Sequence, residues 1–433
     1  MKVIRLKHLL KGNFGGVWGD DLDCNENSYT YILRSTEQNE NGNWVINWES
    51  VARRNLLRVT NFHTLKKNDI VITKSSGSAG HIGKATLVDE NIEKLHCSFS
   101  NFMQCLQLDA GKCNPRFYWY YLNSRHCKEQ YKISCTTSTG LLNLNSDTFN
   151  NLNVPFFSVE YQNQCVAFLD KTISKIEDAI EKHKIQLDFL SSYRQSLITR
   201  AVTKGLDPNV EMQDRELEFI GKYPKHWKAT TVGRIYLMSN GLSQSGEFFG
   251  HGFPFFSYGD VYKNYALPET PSGLVQSDEK ERANCSILRG DVFFTRTSET
   301  VEELGMASTS LKNYENATFA GFLIRARPKI NLIEPEFAKF YFRATCHRAF
   351  FEKNTNLVTR ASLSQTLLTR LPVLIPPKEE QIKIYEYCQK QINSLDNLSL
   401  ALQKQIKKMK EYRSSLISAA VTGQLAIDEE ASA

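Results

Sequence analysis

The sequence has no apolar run long enough to cross a bilayer and no Cys-x-x-Cys pair, and its net charge is only +6 over 433 residues. The first absence excludes a helical membrane protein. Lys2, Arg5, Lys7 and Lys11 also interrupt any signal-like stretch, so a cytoplasmic location is expected. The ten cysteines are scattered, which fits reduced thiols filling cores. A metal site drawn from His96, Cys97, Cys105, Cys113, His126 and Cys127 is disfavoured, because zinc ligands come as close pairs and these do not. The small positive excess is uneven. Residues 1–155 carry 18 basic and 14 acidic side chains and residues 213–373 carry 20 and 17, so two globular segments hold it, as surfaces facing phosphates would.

Catalytic signatures are missing too. Gly77-Ser78-Ala79-Gly80-His81-Ile82-Gly83-Lys84-Ala85 resembles a phosphate loop, but Ser78 stands where its first glycine belongs and Ala85 where its magnesium-binding hydroxyl belongs. Asn153-Val154-Pro155-Phe156 lacks the first proline of the amino-methyltransferase motif, and no Gly-rich turn precedes it to cradle a methyl donor. The reading is a non-catalytic chain.

What is present is a repeat. Residues 160–206 and 379–425 match at 14 of 47 positions at a constant shift of 219, most densely where Tyr193-Arg194-Gln195-Ser196-Leu197-Ile198 returns as Tyr412-Arg413-Ser414-Ser415-Leu416-Ile417. In the first copy Leu169, Ile173, Ile176, Leu187, Leu190, Arg194 and Leu197 fall on one seam of alternating three- and four-residue steps. Ile392, Leu395, Ile406, Met409, Arg413 and Leu416 do the same in the second. Two long coiled-coil helices are predicted, the first from about Gln162 to Thr203, where Gly205 and Pro208 stop it.

The globular segments repeat as well. Lys67 to Ser76 corresponds to Arg289 to Ser298, and Phe99, Phe102, Pro115, Phe117 and Tyr121 correspond to Phe319, Phe322, Pro335, Phe337 and Tyr341. Strands are expected at Tyr29 to Leu33, Asp69 to Lys74 and Phe102 to Leu108, an aromatic-rich helix or helix start over Pro115 to Gln130, and a loop over Asn13 to Asn27. The expected layout is α+β: residues 1–157 a mixed domain, 158–206 a long helix, 207–218 a linker, 219–375 a second mixed domain, 376–425 a second long helix and 426–433 a tail.

Three pairs of polar stretches are candidate contacts for phosphates and base edges. Lys74-Ser75-Ser76 and Arg296-Thr297-Ser298 put a cation and small hydroxyls at a strand tip. Arg34-Ser35-Thr36 and Ser257-Tyr258 occupy equivalent earlier places, and Thr139 and Arg360 lie in loops before the long helices.

Two globular segments alternating with helices that end in Tyr-Arg-x-Ser-Leu-Ile-x-x-Ala-Val-Thr, with Pro376-Pro377-x-Glu379-Glu380-Gln381 before the second and Gly221-x-x-Pro224-x-x-Trp227 at the entry of the second segment, resemble the specificity subunit of type I restriction-modification systems. The resemblance implies two target-recognition domains, each reading half of an asymmetric bipartite site on double-stranded DNA, with the two coiled-coil helices packed antiparallel as spacer. It implies two methylation subunits and restriction subunits as partners. It places S-adenosylmethionine, ATP and Mg on those partners and no cofactor in this chain. The seam residues with Tyr193 and Tyr412 would form the spacer and partner interface, and Phe168, Ile185, Phe189 and Ile198 would remain for partner subunits. Two rivals are a self-sufficient DNA methyltransferase or nuclease carrying its own recognition domains, and a coiled-coil scaffold that never touches DNA.

Overall fold

The computed structural model describes residues 2–22, 29–78, 80–138, 141–298, 304–354 and 361–427. They divide into two compact units, residues 1–183 with 403–433, and residues 184–402.

The core sheet of the first unit has four antiparallel strands in the order Leu10–Gly15, Met103–Leu108, Ile70–Thr73 and Ala85–Leu87. Ile70, Val71 and Ile72 are all fully buried, because both faces of their strand are covered. Ile70 and Ile72 join the core built on the helix Pro115–Asn123, while Val71 faces the other way into a core with Leu33, Phe99 and Cys105. That second core is closed by a smaller sheet of Ala52–Arg54, Thr30–Leu33 and Ser98–Phe99.

The second unit repeats this strand for strand. Its core sheet runs Tyr236–Asn240, Leu323–Pro328, Val292–Thr295, Ala307–Thr309, and its smaller sheet runs Gly273–Val275, Phe249–Phe256, Thr318–Phe319. Val292 and Phe294 point into one core and Phe293 into the other, the same two-residue alternation. At the inner end of the sheet each unit buries one aspartate. Asp291 accepts from Arg327 at 2.8 and 2.6 Å, whereas Asp69 is bonded to His63 at 2.7 Å and Gln107 at 3.2 Å.

The long helices are Val159–Lys204 and Lys378–Val421. Each contributes to both units. Cys165, Val166 and Leu169 of the first meet Leu416, Ala420 and Val421 of the second in the first unit's core, and Leu197, Ile198 and Ala201 meet Ile384, Cys388 and Ile392 in the second's. In each unit the segments therefore run antiparallel. The seam arginines fix the register: Arg413 reaches Glu177 at 2.8 Å in the first unit, and Arg194 reaches Asp396 at 2.8 Å in the second. Both pairs are the same pair under the 219-residue repeat. A buried glutamine staples each helix start to the neighbouring aromatic helix. Gln162 accepts from the Asn114 amide and donates to the Phe157 carbonyl, and Gln381 accepts from the Glu334 amide and donates to the Pro376 carbonyl.

Four expectations need correction. The stretch Pro115 to Gln130 is two helices, Pro115–Asn123 and Arg125–Ser134, because Ser124 caps the second by accepting from the Cys127 amide. Asn13 to Gly15 belong to a core strand instead of a loop: Asn13 is bonded to Gln104 and Asn150, so its polar side chain is satisfied inside the sheet edge. Residues 207–218 are laced to the second unit rather than free, with Gln213 bonded to the Tyr223 carbonyl and Leu217 packed on the core. Ile198, expected to face a partner, is fully buried, and Phe168 is partly buried against the first unit's core.

Candidate nucleic-acid interface

In each unit the strand tip pairs with a segment that precedes the long helix. Ser75–Ser76 pair with Leu142–Asn143, which turn back on Thr136–Ser138, so the strand tip and the loop before the long helix form one small sheet. In the second unit Thr297–Ser298 pair with Ala361–Ser362 in the same way. Thr139 and Arg360 lie outside the described residues.

The two tips differ electrostatically. Lys74 turns its ammonium back to Gln104, 3.2 Å away, and desolvation there holds its pKa below the usual lysine value. Arg296 is half-buried and its guanidinium makes no hydrogen bond or ion pair with the described residues. Of the two, Arg296 is the cation free to meet a phosphate oxygen.

The remaining pair lies in short helical turns bonded to their own carboxylates. Glu37 accepts from the Arg34 amide at 2.6 Å and from its guanidinium at 2.7 Å, one half of a capping box, since an arginine side chain cannot accept the return bond. Thr36 donates to the same carboxylate, and the Ser35 carbonyl accepts from buried Lys84. Ser257 and Asp260 form the equivalent box, and Tyr258 stacks on Tyr262 with ring centroids 6.0 Å apart. Short polar runs that look like binding loops here satisfy helix-end amides.

Two features were not among the candidate contacts read from the sequence. His63, Asp69 and Cys105 bring three donor atoms within 4.8 Å of one another, but the Asp69 carboxylate is occupied by His63, the Lys66 amide and Gln107. Burial first, and Asp69 second, push the Cys105 thiol well above its ordinary pKa, so it behaves as a buried thiol rather than a thiolate. Phe102 and Phe322, aligned by the repeat, are both exposed beside the tip cations. Their recurrence was the available signal.

On the helices, the seam residues Ile173, Ile176, Leu187, Leu190, Leu395, Ile406 and Met409 are half-buried, while Leu169, Leu197, Ile392 and Leu416 are buried. Ile185, Phe189, Tyr193 and Tyr412 stand outside the seam, at 60, 67, 48 and 57% exposure, and Phe189 stacks on Tyr193. Leu400, Leu398, Ile382 and Tyr387 are further exposed apolar groups on the second helix.

The sequence profile of the family described as "Type I restriction modification DNA specificity domain" matches residues 1–187 and again 226–408. The chain belongs to this family. It is a type I specificity subunit with two tandem recognition domains. It is 22% identical to the StySPI specificity subunit of Salmonella potsdam, over 93% of this chain and 84% of that one. It is 20% identical to the MjaVIII specificity subunit of Methanocaldococcus jannaschii, over 86% and 82%. In fold it resembles a chain from a structural study of type I R-M system assembly and conformational transition, with a TM-score of 0.71, 15% identity and 98% of both chains covered. The HsdS subunit of Thermoanaerobacter tengcongensis follows at a TM-score of 0.51 and 14% identity, over 98% of this chain and 97% of that one. No described helix of this specificity subunit is long and apolar enough to cross a membrane. The rival readings, a self-sufficient enzyme and a scaffold without DNA, are not favoured by these matches.

Proposed function

We propose that this chain acts as the non-catalytic address of a type I complex. Each unit reads one half of an asymmetric bipartite duplex site through its tip sheet. Two methylation subunits dock on the exposed helix residues Ile185, Phe189, Tyr193 and Tyr412, and restriction subunits join them. S-adenosylmethionine, ATP and Mg belong to those partners. One observation carries the reading: the same scaffold occurs twice, strand for strand, yet ends in unlike tips, Lys74-Ser75-Ser76 and Arg296-Thr297-Ser298. A duplicated frame with different tips suits two different half-sites on a duplex.

The test is to map methylated adenines in cells expressing the chain with its methylation subunits, then to replace residues 219–375 by the corresponding domain of another specificity subunit. One half of the methylated motif should change and the other stay. A motif that survives intact would remove the reading. Arg296→Ala should lower the slope of log affinity against log salt by about 0.9, the value for one lost phosphate contact. Lys74→Ala should lower it less, because Lys74 is already held by Gln104.

A further inference from the structure

Phe102 and Phe322 are 48 and 64% exposed, and each sits third in a tight turn. The Met103 amide donates to the Ser100 carbonyl at 2.9 Å, and the Leu323 amide to the Ala320 carbonyl at 3.0 Å. Each phenylalanine also accepts, on its own carbonyl, the backbone amide of the tip cation, Lys74 at 2.9 Å and Arg296 at 2.9 Å. The backbones of the two residues are thus tied together at the sheet end.

Each turn is braced from behind by a neighbouring strand end that only glycine permits. A Cβ on Gly16 would stand 2.0 Å from the Ser100 oxygen, and one on Gly241 2.3 Å from the Ala320 oxygen. The close approach lets the Val17 and Leu242 amides bond to the Phe99 and Phe319 carbonyls, both at 2.8 Å. The residues around the rings have diverged, Ser100-Asn101 against Ala320-Gly321. Ring, turn, brace and cation contact have not.

A single exposed phenylalanine is ordinary on a protein surface. Here both copies of a duplicated module spend a braced turn on holding one in water, where it gains nothing from burial. We propose that Phe102 and Phe322 are base-contacting residues, each laying its ring against the bases of the half-site that its own unit reads. The inference rests on the reading that the units bind duplex DNA. An uncharged ring displaces no counterions, so its work shows in affinity for bases and not in salt dependence.

The experiment uses the full chain assembled with its methylation subunits. The probes are a duplex carrying the motif found by methylation mapping and a scrambled duplex of equal length. Phe322→Ala should weaken binding to the target by about 5- to 150-fold, the loss typical of one disrupted base-pair contact in a specific duplex site. Its salt slope and its affinity for the scrambled duplex should stay as in the parent. Phe322→Trp should keep most of the target affinity, and Phe102→Ala should act through the other half-site. Thermal unfolding should not move, because the ring is exposed. Unchanged target affinity in both alanine variants would overturn the proposal. So would an equal loss on the scrambled duplex, or loss of co-purification with the methylation subunit, which would make the rings a protein contact. A parent complex without any preference for the target would instead remove the DNA reading itself.

Discussion

His347 gives the most quantitative prediction. The imidazole is buried in the second unit between Tyr341 and Phe342, with ring centroids 4.7 and 6.0 Å away, and its Nε2 has no hydrogen-bond partner. Burial drives its pKa down to about 4, and contact with the Tyr341 backbone offsets only part of this. The unfolded chain therefore takes up a proton near pH 6.5 while the folded chain stays neutral until about pH 4. Between these values the unfolded state holds more protons, so stability falls as pH falls. A gap of about 2.5 units corresponds to about 3 kcal/mol, fully lost by pH 4 and about 2 kcal/mol lost at pH 5. The repeat puts Cys127, a fully buried thiol, at the same place in the first unit, so the effect belongs to the second unit alone. His347→Cys should flatten it. The assay is hydrogen exchange, corrected for intrinsic rate, on the helices Pro335–Tyr341 and Thr345–Asn354 against Pro115–Asn123 and Arg125–Ser134. Equal acid sensitivity of the two units, or a variant with the parent's pH dependence, would refute the argument.

Arg327→Ala leaves the Asp291 carboxylate buried without its cation and should cost about 3–5 kcal/mol in urea unfolding; a cost under about 1 kcal/mol would mean that water reaches the site. Arg413→Ala should destabilise more than Arg194→Ala, because Arg413 is 15% exposed and Arg194 30%; about 1 kcal/mol or less is expected for the more open pair, and the reverse order would count against the assignment. Gln381→Ala strips the Glu334 amide and the Pro376 carbonyl of their partner together, at about 1–3 kcal/mol. Thermal unfolding of Gln381→Ala beside Gln162→Ala should give losses in both, the larger for Gln381, which also donates to the Leu332 carbonyl at 2.9 Å. A loss in one variant only would show that the staples are not equivalent.

The duplication and the helices were legible because both rest on periodicity. The seam residues recur at alternating steps of three and four, and the strand Ile70–Thr73 is matched by Val292–Thr295 almost residue for residue. Local chemistry was less legible. Arg34-Ser35-Thr36-Glu37 reads as a phosphate-contacting stretch, and the bond from the Arg34 amide to Glu37 that folds it into a turn was not visible in the sequence. Gln162 and Gln381 were visible as an identical pair, but their carbonyl and amide partners include residues about 48 positions away, such as Asn114 and Glu334. The tip sheets join strands more than 60 residues apart, Ser75–Ser76 with Leu142–Asn143, and no local pattern announces such pairing. The metal-like trio of His63, Asp69 and Cys105 escaped for the same reason.

The second unit is one uninterrupted stretch, 184–402, whereas the first is assembled from residues 1–183 and 403–433. On the ribosome the two cannot mature together. The second unit has all of its residues once position 402 has emerged, while Leu169 must wait for Leu416 and Ala420, which are made afterwards. Until then the earliest-synthesised domain carries an unsealed apolar flank, and chaperone demand during translation should concentrate there.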